Sequence, residues 1–188
     1  MNDEQVLIRR ILQGDLRAFR HLVEQYQRLV AHMVGRIVQQ PEDVEDLCQE
    51  VFIQVHKHLG EFGGESKLST WIATIAYRTA LNHRKKTARR PADPLSEPLA
   101  DRLEDAGQAN PEERLVRQDR QRFMQEEIAR LPVHYRTILT LYHLEELSYE
   151  EIGAVTSLPE GTVKNYLFRA RKLLKEALQR YQQSERWP

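Results

Sequence analysis

The sequence is poor in cysteine, in aromatic residues and in long hydrophobic runs. Its 188 residues include one cysteine, Cys48, which excludes an internal disulfide, a thiolate zinc site and a CxxC redox pair. Charged residues make up 30% of the chain, and no apolar stretch approaches the roughly 20 residues of a membrane-spanning helix. The first residues also lack the basic and apolar segments of a secretory signal. We therefore expect a cytoplasmic protein with no stable membrane insertion.

Motifs of catalytic sites are missing as well. The chain contains no HExxH sequence, no Gly-rich phosphate loop and no nucleophile elbow. His56 and His58 are two residues apart, so on a helix they would point about 200° apart and could not converge on a metal. We therefore expect no enzymatic activity, no metal site and no cofactor.

The charges are balanced overall but separated along the chain. There are 28 basic and 28 acidic residues. Residues 42–50 contain acids and no Lys or Arg, whereas residues 68–90 contain bases and no Asp or Glu. Residues 91–113 are predominantly acidic and residues 164–180 predominantly basic. Two basic zones therefore flank an acidic connector, and basic zones are candidates for binding nucleic acid.

The amino-terminal half has the apolar periodicity of helices. Apolar residues recur at steps of three and four over residues 19–37, after Asp15 as a possible N-cap, and again over residues 44–59. Ser69 could cap a third helix. Cys48 falls on the apolar face of the second helix, which indicates an inert core thiol rather than a redox sensor.

The acidic connector contains the residues that interrupt helices. Four prolines, a glycine and an asparagine lie between Pro91 and Pro111. A structureless stretch of this length is unusual inside one compact domain, so we interpret residues 91–111 as a flexible linker. The predicted fold is all-α, with two small helical domains at residues 1–90 and 112–188.

The carboxyl-terminal half predicts a helix-turn-helix. Helices are expected over residues 115–131 and 135–144, and Ser148 with Glu151 matches the Ser-x-x-Glu capping box of a following short helix. After a turn, apolar residues recur at steps of four and three from Val163. Such a motif places the start of its second helix in the DNA major groove. Candidate base contacts on that helix are Lys164, Asn165, Phe168 and Arg169. Lys172, farther along, is a candidate phosphate contact.

Two ordered sets of residues resemble a known family. Residues 46–52 (DLCQEVF), Phe62, residues 69–76 and the basic run to Arg90 resemble region 2 of bacterial extracytoplasmic-function (ECF, group 4) sigma factors of the sigma-70 family. Residues 131–136, 147–153 and 160–171 resemble region 4 of the same family. The ordered pair covers nearly the whole chain apart from the linker.

The resemblance implies a subunit that binds core RNA polymerase, at its β′ and β subunits, and directs it to promoter DNA. Region 2 would recognise and melt the −10 element, and region 4 would recognise the −35 element. Docking on the polymerase is implied for Asp46, Leu47, Gln49 and Phe52. Contact with the −10 DNA is implied for Phe62, Lys67, Trp71, Tyr77, Arg78 and Asn82. Family members are commonly held inactive by an anti-sigma factor, which makes such a protein a further expected partner.

Other interpretations of some of these residues stay open. Phe52 and Trp71 could simply pack in the core, since large aromatics dominate core burial. The family often has Ile-Ala-Arg-Asn where this chain has Ile75-Ala76-Tyr77-Arg78, so the −10 sequence that it reads is open. A helix-turn-helix repressor that binds DNA alone would explain the carboxyl-terminal half, but it would leave the amino-terminal half without a role.

Overall fold

In the computed structural model, the described residues are 3–38, 40–87 and 111–183, and side chains are described from residue 119 onward in the last segment. Within these ranges the regular structure is helical, in agreement with the predicted all-α class. The helices are α1 (Asp3–Leu12), α2 (Leu16–Ile37), α3 (Pro41–His58), α4 (Leu68–Thr87), α5 (Pro111–Arg130), α6 (Val133–His143), α7 (Tyr149–Thr156) and α8 (Glu160–Gln183). A single 3₁₀ turn, Leu59–Glu61, follows α3. None of the helices in the described ranges is long and apolar enough to cross a membrane.

Helix α2 forms the centre of the amino-terminal half. Its apolar stripe is buried against α3 and α4, as the periodicity predicted. The Asp15 carboxylate caps it by accepting hydrogen bonds from the backbone amides of Arg17 at 2.9 Å and Ala18 at 3.1 Å. These bonds satisfy two of the amides that have no partner inside the helix.

Two features of this half differ from the sequence prediction. Helix α4 begins at Leu68, so Ser69 lies inside its first turn and is not the cap. The first helical bond is accepted by the Lys67 carbonyl, and Leu68 is already fully buried, which extends the helix by one residue at its start. Helix α1 was not predicted, although Ile11 is buried and its apolar neighbours pack on the core.

The carboxyl-terminal half contains the expected helix-turn-helix. Residues 91–110 of the predicted linker lie outside the described residues. Its last residue, Pro111, opens α5, as proline does in a first helical turn. The Ser148 hydroxyl accepts a hydrogen bond from the backbone amide of Glu151 at 3.2 Å, and the Glu151 carboxylate accepts one from the backbone amide of Ser148 at 2.8 Å. The predicted capping box is therefore formed. Helix α7 then ends at Thr156, and the following Ser157 has a left-handed φ of 59° that turns the chain toward α8.

Helix α6 lies between the two halves and is buried on nearly all sides. Six consecutive residues, from Arg136 to Leu141, are buried. A helix buried on all sides must have neighbours on opposite faces, and α6 packs on α2 as well as on α8. Helix α7 similarly packs on α4. The two halves therefore share one apolar cluster in this structure rather than lying apart.

Candidate nucleic-acid interface

The exposed face of α8 carries the predicted duplex-reading residues together. Lys164, Asn165, Phe168, Arg169 and Lys172 are all exposed. The side chain of Phe168 is 68% exposed, although it is large and apolar. The opposite face of the helix is anchored in the core by Val163, Leu167 and Ala170. A side chain such as Phe168, held in water on a rigid helix among cations, is suited to contact a base or a thymine methyl group.

Two lysines on this face are paired with glutamates of the same helix. Lys164 Nζ lies 2.5 Å from Glu160 Oε1, and Lys172 Nζ lies 4.0 Å from Glu176 Oε1. The hydrogen bond to Glu160 raises the pKa of Lys164 above its ordinary value. Because the pairs are exposed, they contribute little to stability and can be exchanged for phosphate contacts.

A second group of side chains beside this face was missed by the sequence analysis. Arg171 Nη2 lies 3.1 Å from His143 Nε2, and its guanidinium lies 5.1 Å from the centroid of the Tyr142 ring. The rings of Tyr142 and Tyr149 stack at 5.2 Å. Burial, and then the charge of Arg171, lower the pKa of His143, so the neutral imidazole can accept from the guanidinium. Arg171 is thus held in place beside the predicted readers by α6 and α7.

A groove of about 570 Å³ between α3 and α4 collects part of the predicted −10 set. Trp71, Arg78 and Asn82 line it, and the ring of Phe62 lies 5.5 Å from that of Trp71. Arg78 and Asn82 are exposed one turn apart on α4. An aromatic pair next to an arginine is the combination that stacks bases and contacts phosphates of a single strand.

The same groove has an acidic side that the sequence analysis did not identify. The α4 side contributes Arg78 and Lys86, whereas the opposite side contributes Glu50 and Glu61. His58 Nδ1 lies 3.0 Å from Glu61 Oε1 and so holds that carboxylate at the rim. Glu50 lies on α3 and Glu61 in the 3₁₀ turn that follows it, so this wall faces Arg78 and Lys86 only because α3 packs beside α4.

Three residues of the predicted −10 set do not line the groove: Phe62 adjoins it through Trp71, and Lys67 and Tyr77 have other neighbours. Lys67 Nζ is 2.9 Å from Glu151 Oε1, at the start of α7. Tyr77 is partly buried against the core, and burial raises the pKa of its hydroxyl. The structure therefore separates the set into a groove group and two residues with other neighbours.

The predicted polymerase-docking residues on α3 differ in accessibility. Asp46 and Gln49 are exposed, and Phe52 is partly buried against the core. Leu47 is only 4% exposed and belongs to the core cluster. Burial, with Glu45 nearby, raises the pKa of the Cys48 thiol to about 11, which keeps it protonated and unreactive at neutral pH.

Two family models match the chain, in the order that the sequence suggested. The model described as Sigma-70 region 2 matches residues 22–90, which include α3, α4 and the groove. The model described as Sigma-70, region 4 matches residues 124–174, which include α6, α7 and the exposed face of α8.

Curated relatives resemble the chain over nearly its full length. It is 38% identical over 183 residues to the RNA polymerase sigma-H factor of Pseudomonas aeruginosa, with 94% of each chain covered. It is 37% identical over 181 residues to the ECF RNA polymerase sigma-E factor of Escherichia coli K12, again with 94% of each covered.

Solved structures share the fold at low sequence identity. One is CnrH in complex with the cytosolic domain of CnrY, at 19% identity and a TM-score of 0.67, covering 95% of this chain and 98% of that one. Another is the sigma factor RpoE in complex with the anti-sigma factor NepR from Bartonella quintana, at 18% identity and a TM-score of 0.68. That match covers 86% of this chain and 96% of the other.

Proposed function

The chain belongs to the sigma-70 family of RNA polymerase sigma factors, and we propose that it is an ECF sigma factor that gives core RNA polymerase its promoter specificity. It binds the β′ and β subunits and directs initiation at promoters with −10 and −35 elements. The observation that carries the proposal is the presence of two separate surfaces whose exposed basic, amide and aromatic side chains suit contact with DNA. One is the α3–α4 groove in the region 2 segment, and the other is the α8 face in the region 4 segment.

The α8 face reads the −35 element as duplex DNA. Its first turns enter the major groove, where Asn165 and Arg169 can pair with base edges and Phe168 can contact an apolar edge. Lys164 and Lys172 contact the backbone and set affinity rather than sequence. This assignment is supported by the exposure of these residues on one face of α8, whose opposite face is anchored in the core.

The α3–α4 groove takes up the melted strand of the −10 element. Phe62 and Trp71 offer stacking surfaces, while Arg78 and Asn82 contact the backbone or the unstacked bases. The acidic side of the groove would repel phosphates, which favours a strand that runs along α4. Lys67 joins this surface once it is released from Glu151.

The exposed part of α3 docks on the polymerase. Asp46 and Gln49 are available for this contact, and the accessible edge of Phe52 supplies its apolar part. Leu47 supports the surface from beneath. The chemistry of RNA synthesis belongs to the polymerase, so the chain itself acts without catalysis and in the cytoplasm, where the polymerase is found.

An anti-sigma factor is the proposed regulatory partner. One solved structure of the same fold is a sigma factor in complex with an anti-sigma factor. The proposed partner would bind the region 2 and region 4 segments together and prevent promoter binding.

Transcription in vitro tests the proposed function. Core polymerase is incubated with a pool of random promoter templates, with and without this protein, and the transcripts are sequenced. Specific transcripts that depend on the protein support the proposal, and the enriched upstream sequences identify both elements. A protein that leaves transcription unchanged but footprints DNA without polymerase would be a repressor instead.

The assignment of α8 has its own test. Arg169→Ala should reduce the preference for the enriched −35 sequence by roughly 1–3 kcal/mol if Arg169 contacts a base. Arg180→Ala is the matched control, since Arg180 is exposed three turns farther along the same helix. An equal loss on all upstream sequences would make Arg169 a phosphate contact.

A further inference from the structure

The edge of the α8 face beside α6 carries a guanidinium that faces an imidazole. Arg171 follows Lys164 and Phe168 by seven and three residues, so the three side chains lie on one line of the helix surface. Its Nη2 and Nε lie 3.1 Å and 3.3 Å from Nε2 of His143, the last residue of α6. Both residues are exposed. The edge of the guanidinium that suits an anion is therefore turned toward a neutral acceptor within reach of a ligand from solvent.

Two tyrosines help to fix the position of this guanidinium. It lies 5.1 Å from the centroid of the Tyr142 ring, and that ring stacks on Tyr149 of α7 at 5.2 Å and 11°. The hydrogen bond with Tyr149, and then the one with Arg171, lowers the pKa of the Tyr142 hydroxyl. Residues of α6 and α7 thus hold Arg171 in place before a ligand binds, so less side-chain entropy is lost on binding.

The same guanidinium points toward the side of the α8 face. At 3.6 residues per turn, Arg171 is about 60° around the helix from Phe168 and about 120° from Asn165. When the start of such a helix is in the major groove, base edges lie beneath it and the sugar–phosphate backbone passes along its sides. Arg171 is therefore placed for a backbone phosphate and not for a base edge.

The imidazole of His143 has cationic and aromatic neighbours. Arg171 of α8 is the charged group that faces it, Tyr142 of α6 lies 5.0 Å away, and Tyr149 of α7 stacks on Tyr142. Lys164 faces the Tyr149 ring, at 5.3 Å from its centroid. Burial, and then the charge of Arg171, lower the pKa of His143. These surroundings favour the neutral ring in the free chain.

A phosphate at the guanidinium would reverse this preference. Its oxygens would replace the imidazole nitrogen as acceptors of the Arg171 hydrogen bonds. Its negative charge would favour the imidazolium form of His143, and a protonated Nε2 can donate to the same phosphate. The proton that makes this donor comes from solvent. One anion would then be bound by two cationic groups where the free chain has one.

We propose that Arg171 and His143 bind one backbone phosphate of the −35 element between them, and that His143 takes up a proton as the phosphate binds. That the phosphate belongs to a −35 element rests on the proposed function; that the two side chains share an anion site rests on their geometry. A histidine whose pKa is higher in the complex strengthens binding fully below its pKa in the free chain, and this contribution is lost as the pH rises through its pKa in the complex. Binding at this site therefore strengthens as the pH falls.

Promoter binding by the holoenzyme at different pH values tests the proton uptake. Core polymerase that carries the parent chain, His143→Gln or His134→Gln is titrated onto the promoter enriched in the transcription experiment, between about pH 8 and pH 6. Glutamine can accept the hydrogen bond from Arg171 but takes up no proton. His134→Gln is the matched control, because His134 is an exposed histidine near the start of α6 whose ring lies against Tyr135 and Tyr166.

We expect the affinity of the parent relative to His143→Gln to rise by about threefold or more as the pH falls across this range. Each unit by which the phosphate raises the pKa of His143 adds up to tenfold in affinity. The affinity of the parent relative to His134→Gln should not vary with pH. A ratio of parent to His143→Gln that is constant with pH, or that varies no more than the ratio for the control, would overturn the proton uptake.

Methylphosphonate substitutions, which make one phosphate neutral at a time, locate the contact along the −35 element. At one position the parent holoenzyme should lose affinity, and Arg171→Ala should lose little more there, because its contact is already missing. The pH dependence that distinguishes the parent from His143→Gln should disappear at the same position. If different positions remove the two effects, or if none does, the two side chains do not share a phosphate.

A magnetic resonance titration of the free full-length chain tests the site without polymerase. Arg171→Ala should raise the pKa of His143, since it removes the charge that faces the ring. Lys175→Ala is the matched control, because it removes an exposed cation one turn farther along α8 and should leave that pKa unchanged. Equal pKa values in the parent and Arg171→Ala would overturn the shared site. If the pKa rises as expected but the parent holoenzyme binds no promoter, the proposed function fails, and the assignment of the phosphate to promoter DNA fails with it.

Discussion

Gly153 lies in the helix-turn-helix at a position where the surrounding backbone leaves no room for a side chain. A Cβ there would lie 2.8 Å from the backbone oxygen of Leu158, in the turn between α7 and α8. We predict that Gly153→Ala lowers the free energy of unfolding by about 1–3 kcal/mol through overpacking. Alanine is otherwise the better helix former by about 1 kcal/mol. Urea unfolding followed by circular dichroism measures the change.

Gly35 provides the control for this prediction. It lies inside α2, and a Cβ there meets nothing within 4 Å. Gly35→Ala should therefore leave stability unchanged or raise it. If Gly153→Ala were as stable as Gly35→Ala, the Leu158 carbonyl would have to move without cost, and the tight turn would not be a constraint.

Asp15 makes part of the stability of α2 dependent on pH. The hydrogen bond from Arg10, followed by the bond from the Ala18 amide, lowers the pKa of Asp15 below its usual 3.8. A carboxyl group whose pKa is lower in the folded state stabilises the protein above its unfolded pKa, and this contribution is lost as the pH falls through the folded value. Asp15→Ala should therefore lower the melting temperature at pH 7, and the difference from the parent should shrink below about pH 4.

Asp15→Asn separates the two contributions of this carboxylate. Asparagine caps helices about as well as aspartate but cannot form the ion pair with Arg10. It should recover most of the melting temperature lost in Asp15→Ala. A difference between Asp15→Ala and the parent that persists unchanged at low pH would show that the charge is not what stabilises the helix.

Ser148 determines where the first helix of the helix-turn-helix begins. Its hydroxyl accepts a hydrogen bond from the backbone amide of Glu151. The substitution Ser148→Ala removes that hydrogen bond and leaves the Glu151 side chain in place. We predict a loss of about 1 kcal/mol in the free energy of unfolding, as for other N-caps. Ser148→Thr keeps a hydroxyl and should recover most of this loss in the same urea titration. Equal losses in the two variants would point to packing rather than capping.

The sequence could predict those elements whose formation depends on residues only a few positions apart. The stripe of α2, the capping box at Ser148 and the exposed face of α8 each depend on neighbours three or four positions away. The prediction of Ser69 as the N-cap was wrong because a hydroxyl near a helix start does not show whether the preceding residue, Leu68, is buried in the core and part of the helix. The Arg171–His143 contact joins α6 to α8, and no periodicity within one helix encodes it.

At the level of the whole molecule, the separation of charge indicated two nucleic-acid surfaces but not how the halves meet. His32 and Glu145, which are paired between the halves, are 113 positions apart, and each alone is an ordinary polar residue of a helical segment. Leu47 shows the same limit, since its motif does not reveal that its side chain lies in the core. Contacts of this kind depend on the packing of complete helices, which the local pattern does not specify.

The shared core predicts that the two halves unfold together. Leu141 is fully buried on α6, the helix that packs on α2, whereas Trp71 reports on α4 in the other half. In a Trp187→Phe background, which leaves Trp71 as the only tryptophan, Leu141→Ala should cost about 2–5 kcal/mol. The urea midpoint seen by Trp71 fluorescence should fall with the midpoint seen by circular dichroism, because loss of α6 exposes the apolar face of α2.

Leu173→Ala is the control for this coupling, since Leu173 is 40% exposed on α8 and its truncation should change both midpoints little. If Leu141→Ala lowered the circular dichroism midpoint and left the Trp71 midpoint unchanged, each half would be stable alone and the shared core would add little. Coincident shifts would instead mean that closure stabilises both halves. A binding partner that separates them must then cover the apolar surface that α2, α4, α6 and α7 now bury against one another.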